Sequence, residues 1–209
     1  MRRIVAFNNV SADGFYSGAD GGLGWVIQDS ELDRSIMADA DRSAALGSGT
    51  DPGTILFGRR TYEQFESFWP HALDDSQTAP SPHGPGRSAE MRGMAIWINA
   101  AKKIVFSRTR QQVTWSNSTL VRTFDPREIE ALKRQPGSDM LIFGSGSIAS
   151  LLTRHGLIDE YQFVVNALLL GDGRSLLTGV PRSLRLTLLE SKAFPTGNVL
   201  LRYGRASTA

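Results

Sequence analysis

Three short polar segments follow apolar runs, and each carries residue types that bind phosphate. The segments are Gly58-Arg59-Arg60-Thr61, Ser107-Arg108-Thr109 and Gly144-Ser145-Gly146-Ser147. Glycine lets backbone N–H groups approach an anion closely, and a helix that begins there adds a partial positive charge. Arginine adds charged, forked donors that match a phosphate group. These residue types therefore indicate a phosphate-bearing ligand.

Each segment also has a simpler explanation. The first is typical of an ordinary capped helix with solvated arginines, and the second of a short polar loop. The glycines of the third are typical of a tight turn that needs positive φ. If all three lie at the ends of parallel strands, however, they share one edge of a sheet, where ligands bind. Together they then describe a ligand with several phosphates and a planar base.

Missing motifs narrow the identity of this ligand. No G-x-x-x-x-G-K occurs, so a nicotinamide dinucleotide is favoured over a nucleoside triphosphate. The stretch 144–149 fits G-x-G-x-x-A, but the next acids, Asp159 and Glu160, precede the following strand, so a standard Rossmann domain is not predicted. The extra arginines favour the form with a 2′-phosphate, NADPH.

The composition is that of an ordinary globular protein. The 209 residues are 41% hydrophobic and 21% charged, which suits one core. There is no cysteine, and His71, His83 and His155 are not at metal-ligand spacing, so no metal site is predicted. The net charge is only +2, although the sequence pI is about 9.1, so nucleic-acid binding is not favoured.

Apolar runs in this chain are short. None approaches the run of about 18 apolar residues typical of a membrane span. The first run is too short for the core of a signal peptide. We therefore expect a cytoplasmic protein without a membrane partner.

Alternating strands and helices are predicted to position the three segments. Strands are predicted at RRIVAFNNV, GTILFG, KKIVFS, VTW, DMLIFG and EYQFVVNALLLG, and helices at SELDRSIMADADRSAALG, TYEQFESFWP, SAEMRGMAIWINA, FDPREIEALKRQPG and SIASLLTRHG. LRLTLLESKAF and NVLLRYG are predicted to form a hairpin through Pro195-Thr196-Gly197. This order predicts an α/β fold with a largely parallel sheet, helices on both faces and an antiparallel end.

Local signals set the expected element ends. Ser30, Thr61 and Asp125 are predicted to cap the helices that follow them. The stretch 71–87 has no hydrophobic period and is predicted to be a surface loop insertion. No repeat or linker divides the chain, so residues 1–209 are predicted to form one domain.

The succession of motifs resembles the dihydrofolate reductase superfamily, and most closely the branch related to the reductase (C-terminal) domain of the bifunctional riboflavin-biosynthesis deaminase/reductase. The matching stretches cover nearly the whole chain in order: RRIVAFNNVSADGF, GGLGW, TILFGRRTYEQF, KKIVFSRT, VTW, MLIFGSGSIASLL, GLIDEYQFVVNALLLGDG and GNVLLRYG. The resemblance implies a three-layer α/β/α fold with an eight-stranded mixed sheet. It also implies NADPH across the strand ends, and a homodimer.

The resemblance further implies roles for individual positions. Residues placed at the cofactor are Val10, Tyr16, Gly58, Arg59, Arg60, Thr61, Ser107, Arg108, Thr109, Gly144, Ser145, Gly146, Ser147 and Ile148. Asn9 lies where the nicotinamide meets the substrate, and Trp25 lies on the substrate side. The loop Gly21 to Gly24 is expected to close over the site, with support from Gly171-Asp172.

Two departures from dihydrofolate reductases concern the same site. Gly144-Ser145 stands where those enzymes have a double glycine, and Ala149 stands where they have a tyrosine. Glu31 is the best-placed match to their catalytic acid, and Asp29 is the next. Both acids are also explained by the positive end of the helix that begins beside them.

The function predicted from these residues and from the resemblance is NADPH-dependent transfer of a hydride to a pterin, a pyrimidine or a related small heterocycle. The proton would come from Glu31 through water, or directly from solvent. Two alternatives stay open. One is a nucleotide-binding or regulatory protein of the same fold without turnover, and the other is a nucleic-acid-binding module, supported only by the pI and scattered arginines.

Overall fold

Strands and helices alternate along most of the chain, as the sequence predicts. The computed structural model describes residues 1–36, 38, 51–74, 89–180 and 183–206. The strands are β1 (Ile4–Ser11), β2 (Phe15–Ser17), β3 (Thr54–Gly58), β4 (Lys102–Phe106), β5 (Ser118–Val121), β6 (Met140–Phe143), β7 (Glu160–Asn166), β8 (Arg174–Ser175), β9 (Leu186–Ala193) and β10 (Val199–Arg205). The helices are α1 (described over 30–36), α2 (Arg59–Phe68), α3 (Ala89–Ala100), α4 (Pro126–Arg134) and α5 (Gly146–Arg154), with a 3-10 turn at Trp69–His71.

Eight of these strands form one sheet in the order β5-β4-β3-β6-β1-β7-β10-β9, and β2 pairs separately with β8. The first six strands in this order are parallel to their neighbours. The hairpin of β9 and β10 is antiparallel, and β10 is also antiparallel to β7. The prediction of a mostly parallel eight-stranded sheet with antiparallel C-terminal strands is confirmed.

Helices cover both faces of the sheet. On one face, Leu32 of α1, Tyr62 of α2 and Ile98 of α3 pack against alternate strand residues that include Phe7 and Phe57. On the other face, Ile4, Ala6 and Ile142 pack against Ile129 of α4 and against Ile148 and Leu152 of α5. The strands alternate because successive side chains point to opposite faces. The result is the three-layer α/β/α arrangement of dihydrofolate reductases.

Three local predictions are wrong. VTW is not a strand, because Trp115 N–H donates to the Tyr62 hydroxyl (3.2 Å) instead of to a neighbouring strand, and β5 begins only at Ser118. The apolar residues of this segment pack on the core without joining the sheet. Ser30 is not a cap, since Asp29 Oδ1 accepts from Leu32 N–H at 3.0 Å.

The third wrong prediction concerns Thr61. Helix α2 begins two residues earlier, at Arg59, with Gly58 in the N-cap position. The predicted cap Asp125 is confirmed, because its side chain accepts from the N–H of Arg127.

The remaining predictions concern the segment at 71–87 and the membrane. His71 ends the 3-10 turn, and residues 75–87 of the predicted loop lie outside the described residues. Among the described residues, no helix is both long and apolar enough to cross a membrane.

Candidate functional site

The three segments that the sequence predicts to bind phosphate lie side by side at one edge of the sheet. Strands β4, β3 and β6 are consecutive neighbours and parallel, so they end at the same edge, here called the carboxyl edge. Segment 58–61 follows β3, segment 107–109 follows β4, and segment 144–147 follows β6. The fold therefore brings together residues that are nearly ninety positions apart in the sequence.

Helices α2 and α5 begin at this edge without side-chain caps. Neither N-cap residue, Gly58 or Ser145, makes a side-chain capping bond, and neither helix has an acidic residue in its first turn. By contrast, α1 and α4 begin with the carboxylates of Asp29 and Asp125. Uncapped N–H groups and the positive helix end favour an anion. Among the helices whose N-cap residues the structure describes, the two without side-chain caps are the two predicted to bind phosphate.

The two helix starts contact each other directly. The hydroxyl of Ser145 accepts a hydrogen bond from the N–H of Gly58, at 3.0 Å. A Cβ atom added to Gly58 would lie 3.2 Å from Ser147 Oγ and 3.2 Å from Ile148 Cγ1. Glycine at position 58 therefore permits this close approach.

The backbone after β6 forms a concave cluster of donors. Gly144 (φ 55°) and Ser145 (φ 49°) are both left-handed, and the right-handed helix follows at once. The N–H groups of Ser145, Gly146 and Ser147 have no acceptor within the described parts of the chain. Successive N–H groups in such a change of hand bind anions. The glycine-rich corner, residues 144–147, thus has a backbone geometry that suits an anion, and its peptide bonds are trans. Its binding of phosphate stays a prediction.

Tyr16 covers this corner. A Cβ atom added to Gly146 would lie 2.7 Å from Tyr16 Cζ, so the ring rests directly on the glycine. Tyr16 belongs to β2, which pairs with β8 outside the main sheet. The position of Tyr16 beside the corner agrees with its predicted place, although its role at a cofactor stays a prediction.

Two arginines at the carboxyl edge are available for an anion. Arg60 and Arg108 are exposed, and neither guanidinium has a hydrogen bond or ion pair within the described ranges. Arg59 differs, because it pairs with Glu63 at 3.2 Å. Ser107 holds the turn at β4, since its hydroxyl accepts from the N–H of Arg110 at 3.0 Å. Arg60 and Arg108 are therefore the charged groups best placed to contact a phosphate.

The end of β1 lies beside the glycine-rich segment that follows β6. Phe7 of β1 pairs with Phe143 of β6, so the residues after them meet the glycine-rich corner. Asn9 Oδ1 accepts from Asn166 Nδ2 at 3.2 Å, and Asn166 also donates to the carbonyl of Val10 at 3.4 Å. The predicted positions Asn9 and Val10 are therefore tied to β7 by one buried asparagine.

The glycine-rich loop after β2 has internal order. Asp20 Oδ1 accepts from the N–H of Gly22 at 2.7 Å, and the indole N–H of Trp25 donates to the carbonyl of Gly22 at 3.2 Å. The chain is fixed again just beyond, where Ile27 N–H donates to Asn166 Oδ1 at 2.8 Å. Trp25 thus closes the loop on itself, and its place beside a substrate stays a prediction.

The two candidate acids have different surroundings. Asp29 is buried, which raises its pKa, but hydrogen bonds from Thr196 and from two backbone N–H groups outweigh burial and hold the pKa below its usual value. Asp29 is therefore an ionised cap. The Glu31 side chain is half exposed, with its carboxylate 3.6 Å from Lys192 Nζ. The Glu31 carboxylate does not cap the helix as that of Asp29 does, and its catalytic role stays a prediction.

A cavity of about 530 Å³ lies elsewhere, beside the 3-10 turn. Its lining residues include Glu66, His71, Asn99 and Trp115. None of them belongs to the segments 58–61, 107–109 or 144–147. Glu66 and Asn99 already make several hydrogen bonds there. The carboxyl edge, with its unpaired donors, is therefore the better candidate for the functional site.

Sequence reasoning missed two asparagines at this edge. Asn166 is fully buried and joins β1, β7 and the segment at Ile27, whereas Asn8 is 1% exposed and its side chain makes no hydrogen bond with a described residue. The only signal in the sequence is polarity inside an apolar strand. Asparagine at the end of a strand is common enough that this signal selects neither residue.

Known proteins share this fold and, in part, this sequence. The model of the RibD C-terminal domain family matches residues 2–200. The uncharacterized protein YyaP of Bacillus subtilis (strain 168) is 26% identical over 204 residues, which cover 97% of this chain and 95% of YyaP.

Two solved structures illustrate the likeness in fold. A putative riboflavin biosynthesis protein from Shewanella sp. PV-4 matches with a TM-score of 0.68 and 20% identity, over 98% of this chain and 99% of its own. The dihydrofolate reductase of Enterococcus faecalis, solved with NADP(H), matches with a TM-score of 0.57 and 14% identity, over 98% of this chain and 97% of its own.

Proposed function

The chain belongs to the RibD C-terminal domain family, and from this premise we propose that it is a reductase that binds NADPH at the carboxyl edge and reduces a small heterocycle of the pyrimidine or pterin class. The observation that supports this most directly is the meeting of two uncapped helix N-termini, at Gly58 and Ser145. Unpaired N–H groups from two helices at one point suit a ligand with adjacent phosphates.

The order of the strands supports an extended dinucleotide. Strands β4, β3, β6 and β1 are consecutive in the sheet, so their ends form a row. In this proposal Arg108 contacts the adenosine end at β4, Gly58 and Ser145 hold the phosphates, and Asn9 meets the nicotinamide at β1. The guanidinium of Arg108, which has no partner among the described residues, is the candidate for binding the 2′-phosphate that distinguishes NADPH from NADH.

The chain's own residues would prepare the site for hydride transfer. NADPH, when bound, supplies the hydride, so no protein nucleophile is needed. Tyr16 and the loop Gly21 to Gly24 would exclude water from the carboxyl edge. Glu31 is half exposed, so its carboxyl group would supply a proton through water and not by direct contact.

The same geometry leaves one second candidate, a nucleotide-binding or regulatory protein without turnover. The observation that favours it concerns the two candidate proton donors. The Asp29 carboxylate accepts capping hydrogen bonds, and the Glu31 carboxylate lies beside Lys192, so neither is placed as an evident proton donor. A protein of this kind would bind NADPH without oxidising it in the presence of any heterocycle.

Fluorescence titration tests whether the protein binds NADPH and prefers it to NADH. NADPH and NADH are added separately while quenching of the four tryptophans is followed. We expect tight binding of NADPH and much weaker binding of NADH. Arg108→Ala should weaken NADPH binding by roughly ten- to a hundredfold, the usual effect of losing a hydrogen bond to a charged group, and leave NADH unchanged.

Arg134→Ala is the matched control, because Arg134 is also exposed but lies at the end of α4, away from the carboxyl edge. Equal losses in both variants would contradict a specific 2′-phosphate contact. Binding of neither nucleotide would mean that the corner at Gly144 is only a turn, and the reductase proposal would then fail.

A substrate screen separates the two candidate functions. Pterins and aminopyrimidines are added to protein with bound NADPH, and absorbance of the reduced nicotinamide is followed. Oxidation with any of these heterocycles supports the reductase. Tight cofactor binding with no oxidation across the screen supports the protein without turnover.

A further inference from the structure

Asn8 is a buried amide with no protein partner. It lies on β1 and is 1% exposed, and neither its Oδ1 nor its Nδ2 atom has a hydrogen-bond partner among the described residues. Nearly all buried side-chain amides in folded proteins are hydrogen-bonded, because an unpaired one destabilises the fold. Both polar atoms of one side chain are unpaired here, so the residue needs an explanation outside the protein's own contacts.

The position of Asn8 is defined by the sheet. Phe7 pairs with Phe143 of β6, and the N–H of Gly144 donates to the carbonyl of Phe7 at 2.9 Å. Asn8 is therefore level with Gly144, where the concave backbone cluster begins. On its other side it pairs with Phe163 of β7, which offers no polar side chain.

The face of the sheet is also defined. Ile4 and Ala6 alternate with Asn8 along β1, so all three side chains point to the same face. Ile4 and Ala6 pack in the cluster that contains Ile148 and Leu152 of α5. Asn8 thus lies on the face that α5 covers, next to the uncapped end of that helix.

We propose that Asn8 is a ligand-positioning residue whose amide binds the nicotinamide-riboside half of NADPH. This inference depends on the proposed function. The row of strand ends places phosphates at β3 and β6, so the group bound next, at β1, is the one that follows the phosphates in the dinucleotide. That half carries a carboxamide and ribose hydroxyls, which can both donate to Oδ1 and accept from Nδ2.

The proposal predicts an unusual pair of effects in Asn8→Leu. Leucine has the same number of side-chain heavy atoms, branched at the same position, and no polar atoms. The ligand-free protein should therefore melt about 2–4 °C higher, since an unpaired amide is removed. NADPH should bind roughly tenfold more weakly, since the amide contact is lost. A residue with a purely structural role would not raise stability and weaken the ligand together.

Two controls make the test specific. The ligand 2′,5′-ADP lacks the nicotinamide riboside, so its affinity should be equal in wild type and Asn8→Leu. Asn198→Leu is the matched variant, because Asn198 is equally buried and its Oδ1 is also unpaired among the described residues, but its Nδ2 donates to the carbonyl of Ile27 at 3.2 Å. That variant loses a hydrogen bond in use and should melt lower than the wild type.

The outcomes separate the two proposals. If wild type binds no NADPH, the proposed function fails. If wild type binds NADPH and Asn8→Leu binds it equally well, or melts lower, the role of Asn8 is refuted while the proposed function stands. Should the variant not fold, NMR on the wild type decides, because the side-chain amide resonance of Asn8 should shift with NADPH and not with 2′,5′-ADP.

The two possible contacts within the nicotinamide half can also be distinguished. An NADPH analogue with acetylpyridine in place of nicotinamide lacks the carboxamide donor. If Asn8 binds the carboxamide, the analogue should bind wild type and Asn8→Leu almost equally. If Asn8 binds the ribose, the variant should lose about tenfold with both nucleotides.

Discussion

At the scale of single residues, Asp13 joins two distant parts of the chain. Its carboxylate accepts hydrogen bonds from the hydroxyl of Ser11 (2.5 Å), from the N–H of Leu170 (3.1 Å) and from the N–H of Gly171 (2.7 Å). The Ser11 hydroxyl, followed by the Gly171 N–H, lowers the pKa of Asp13 to about 2. The turn after β1 is therefore held to the loop after β7 while Asp13 is ionised.

This lowered pKa predicts a dependence of stability on acid. Because the folded-state pKa lies below the unfolded value of 3.8, the contribution of Asp13 is complete above pH 3.8 and is lost as the pH falls through about 2. Asp13→Asn cannot ionise, so its free energy of unfolding should fall less steeply over this range. Urea unfolding at successive pH values measures the difference.

Asp172→Asn is the control for Asp13, because Asp172 lies in the same loop but, among the described residues, accepts only from the N–H of its neighbour Gly173. Its stability should follow the wild-type pH dependence. If Asp13→Asn and wild type lose stability in parallel between pH 4 and pH 2, the carboxylate does not fasten the loop.

Single residues were predictable where residue type alone carries the chemistry. Gly58 and Arg108 were predicted from what phosphate requires, and the fold brings their segments to one edge, although phosphate binding itself stays a prediction. Lys103 was not predictable: it is 1% exposed, its ammonium donates to three carbonyls, and it lies 4.3 Å from the Trp115 ring. Such burial depends on which distant segments meet, and the local pattern KKIVF contains no sign of it.

At the scale of elements, the starts of the helices divide into two kinds. Helix α4 begins with an aspartate cap and Glu128 in its first turn, whereas α2 and α5 have neither a capping side chain nor an acid there. An acid stabilises a helix start, and it also repels an anion. Without a bound anion, the first turns of α2 and α5 are thus less stabilised than that of α4, but they are better suited to phosphate.

Reversing the charge of Arg60 tests whether an acid at the start of α2 stabilises the helix and weakens phosphate binding. Arg60 is the second residue of α2, so Arg60→Glu should raise the free energy of unfolding by about 0.3–1 kcal/mol through the helix dipole. The same carboxylate should weaken NADPH binding by roughly tenfold or more, because it replaces an attraction with a repulsion near the phosphates. Urea unfolding and fluorescence titration measure the two effects.

Arg127→Glu supplies the comparison, since Arg127 is the second residue of α4 and equally exposed. It should show the change in stability alone. A similar loss of NADPH affinity in both variants would mean that the effect comes from net charge and not from the start of α2.

Element types were predictable because hydrophobic period and turn residues agree along most of the chain. FDPREIEALKRQPG shows this most clearly, with Asp125 and Pro126 at its start and charged residues on its outer face. The failure at VTW has a physical reason. Val113 and Trp115 alternate as in a strand, but Trp115 is anchored by Tyr62 and Asn99, which no local pattern could reveal.

At the scale of the whole molecule, the edge opposite the site is held by ion pairs. Glu160, at the start of β7, is nearly buried and pairs with Arg3 (3.0 Å) and Arg202 (2.8 Å). Arg3 also pairs with Asp139, just before β6. Arg3 and Asp139 precede β1 and β6, Glu160 begins β7, and Arg202 lies in the antiparallel strand β10. These ion pairs therefore connect β6, β1, β7 and β10 at the amino edge.

Removing the shared carboxylate should destabilise the sheet without affecting ligands. Glu160→Gln removes the buried carboxylate that two arginines share, although Arg3 keeps Asp139 and Arg202 keeps Glu190. We expect a loss of about 1.5–3 kcal/mol in the free energy of unfolding. The affinity for NADPH should stay at the wild-type value, because the site lies at the other end of the strands. Urea unfolding and titration of the same preparation measure both quantities.

Glu130→Gln provides the reference for a surface pair. Glu130 is exposed and lies 4.0 Å from Arg134 in the same helix, so its loss should cost less than about 1 kcal/mol. A comparable loss in Glu160→Gln would show that the amino edge does not depend on its buried carboxylate.

The separation of the two edges has a consequence for how such proteins diverge. The ion pairs that assemble the strands lie at one end, and the loops that would meet a heterocycle lie at the other. Loops of the carboxyl edge can therefore be lengthened, shortened or exchanged between relatives while the same strands still assemble. Relatives with this fold can therefore acquire new substrates through changes in these loops alone, while the ion pairs of the amino edge stay the same.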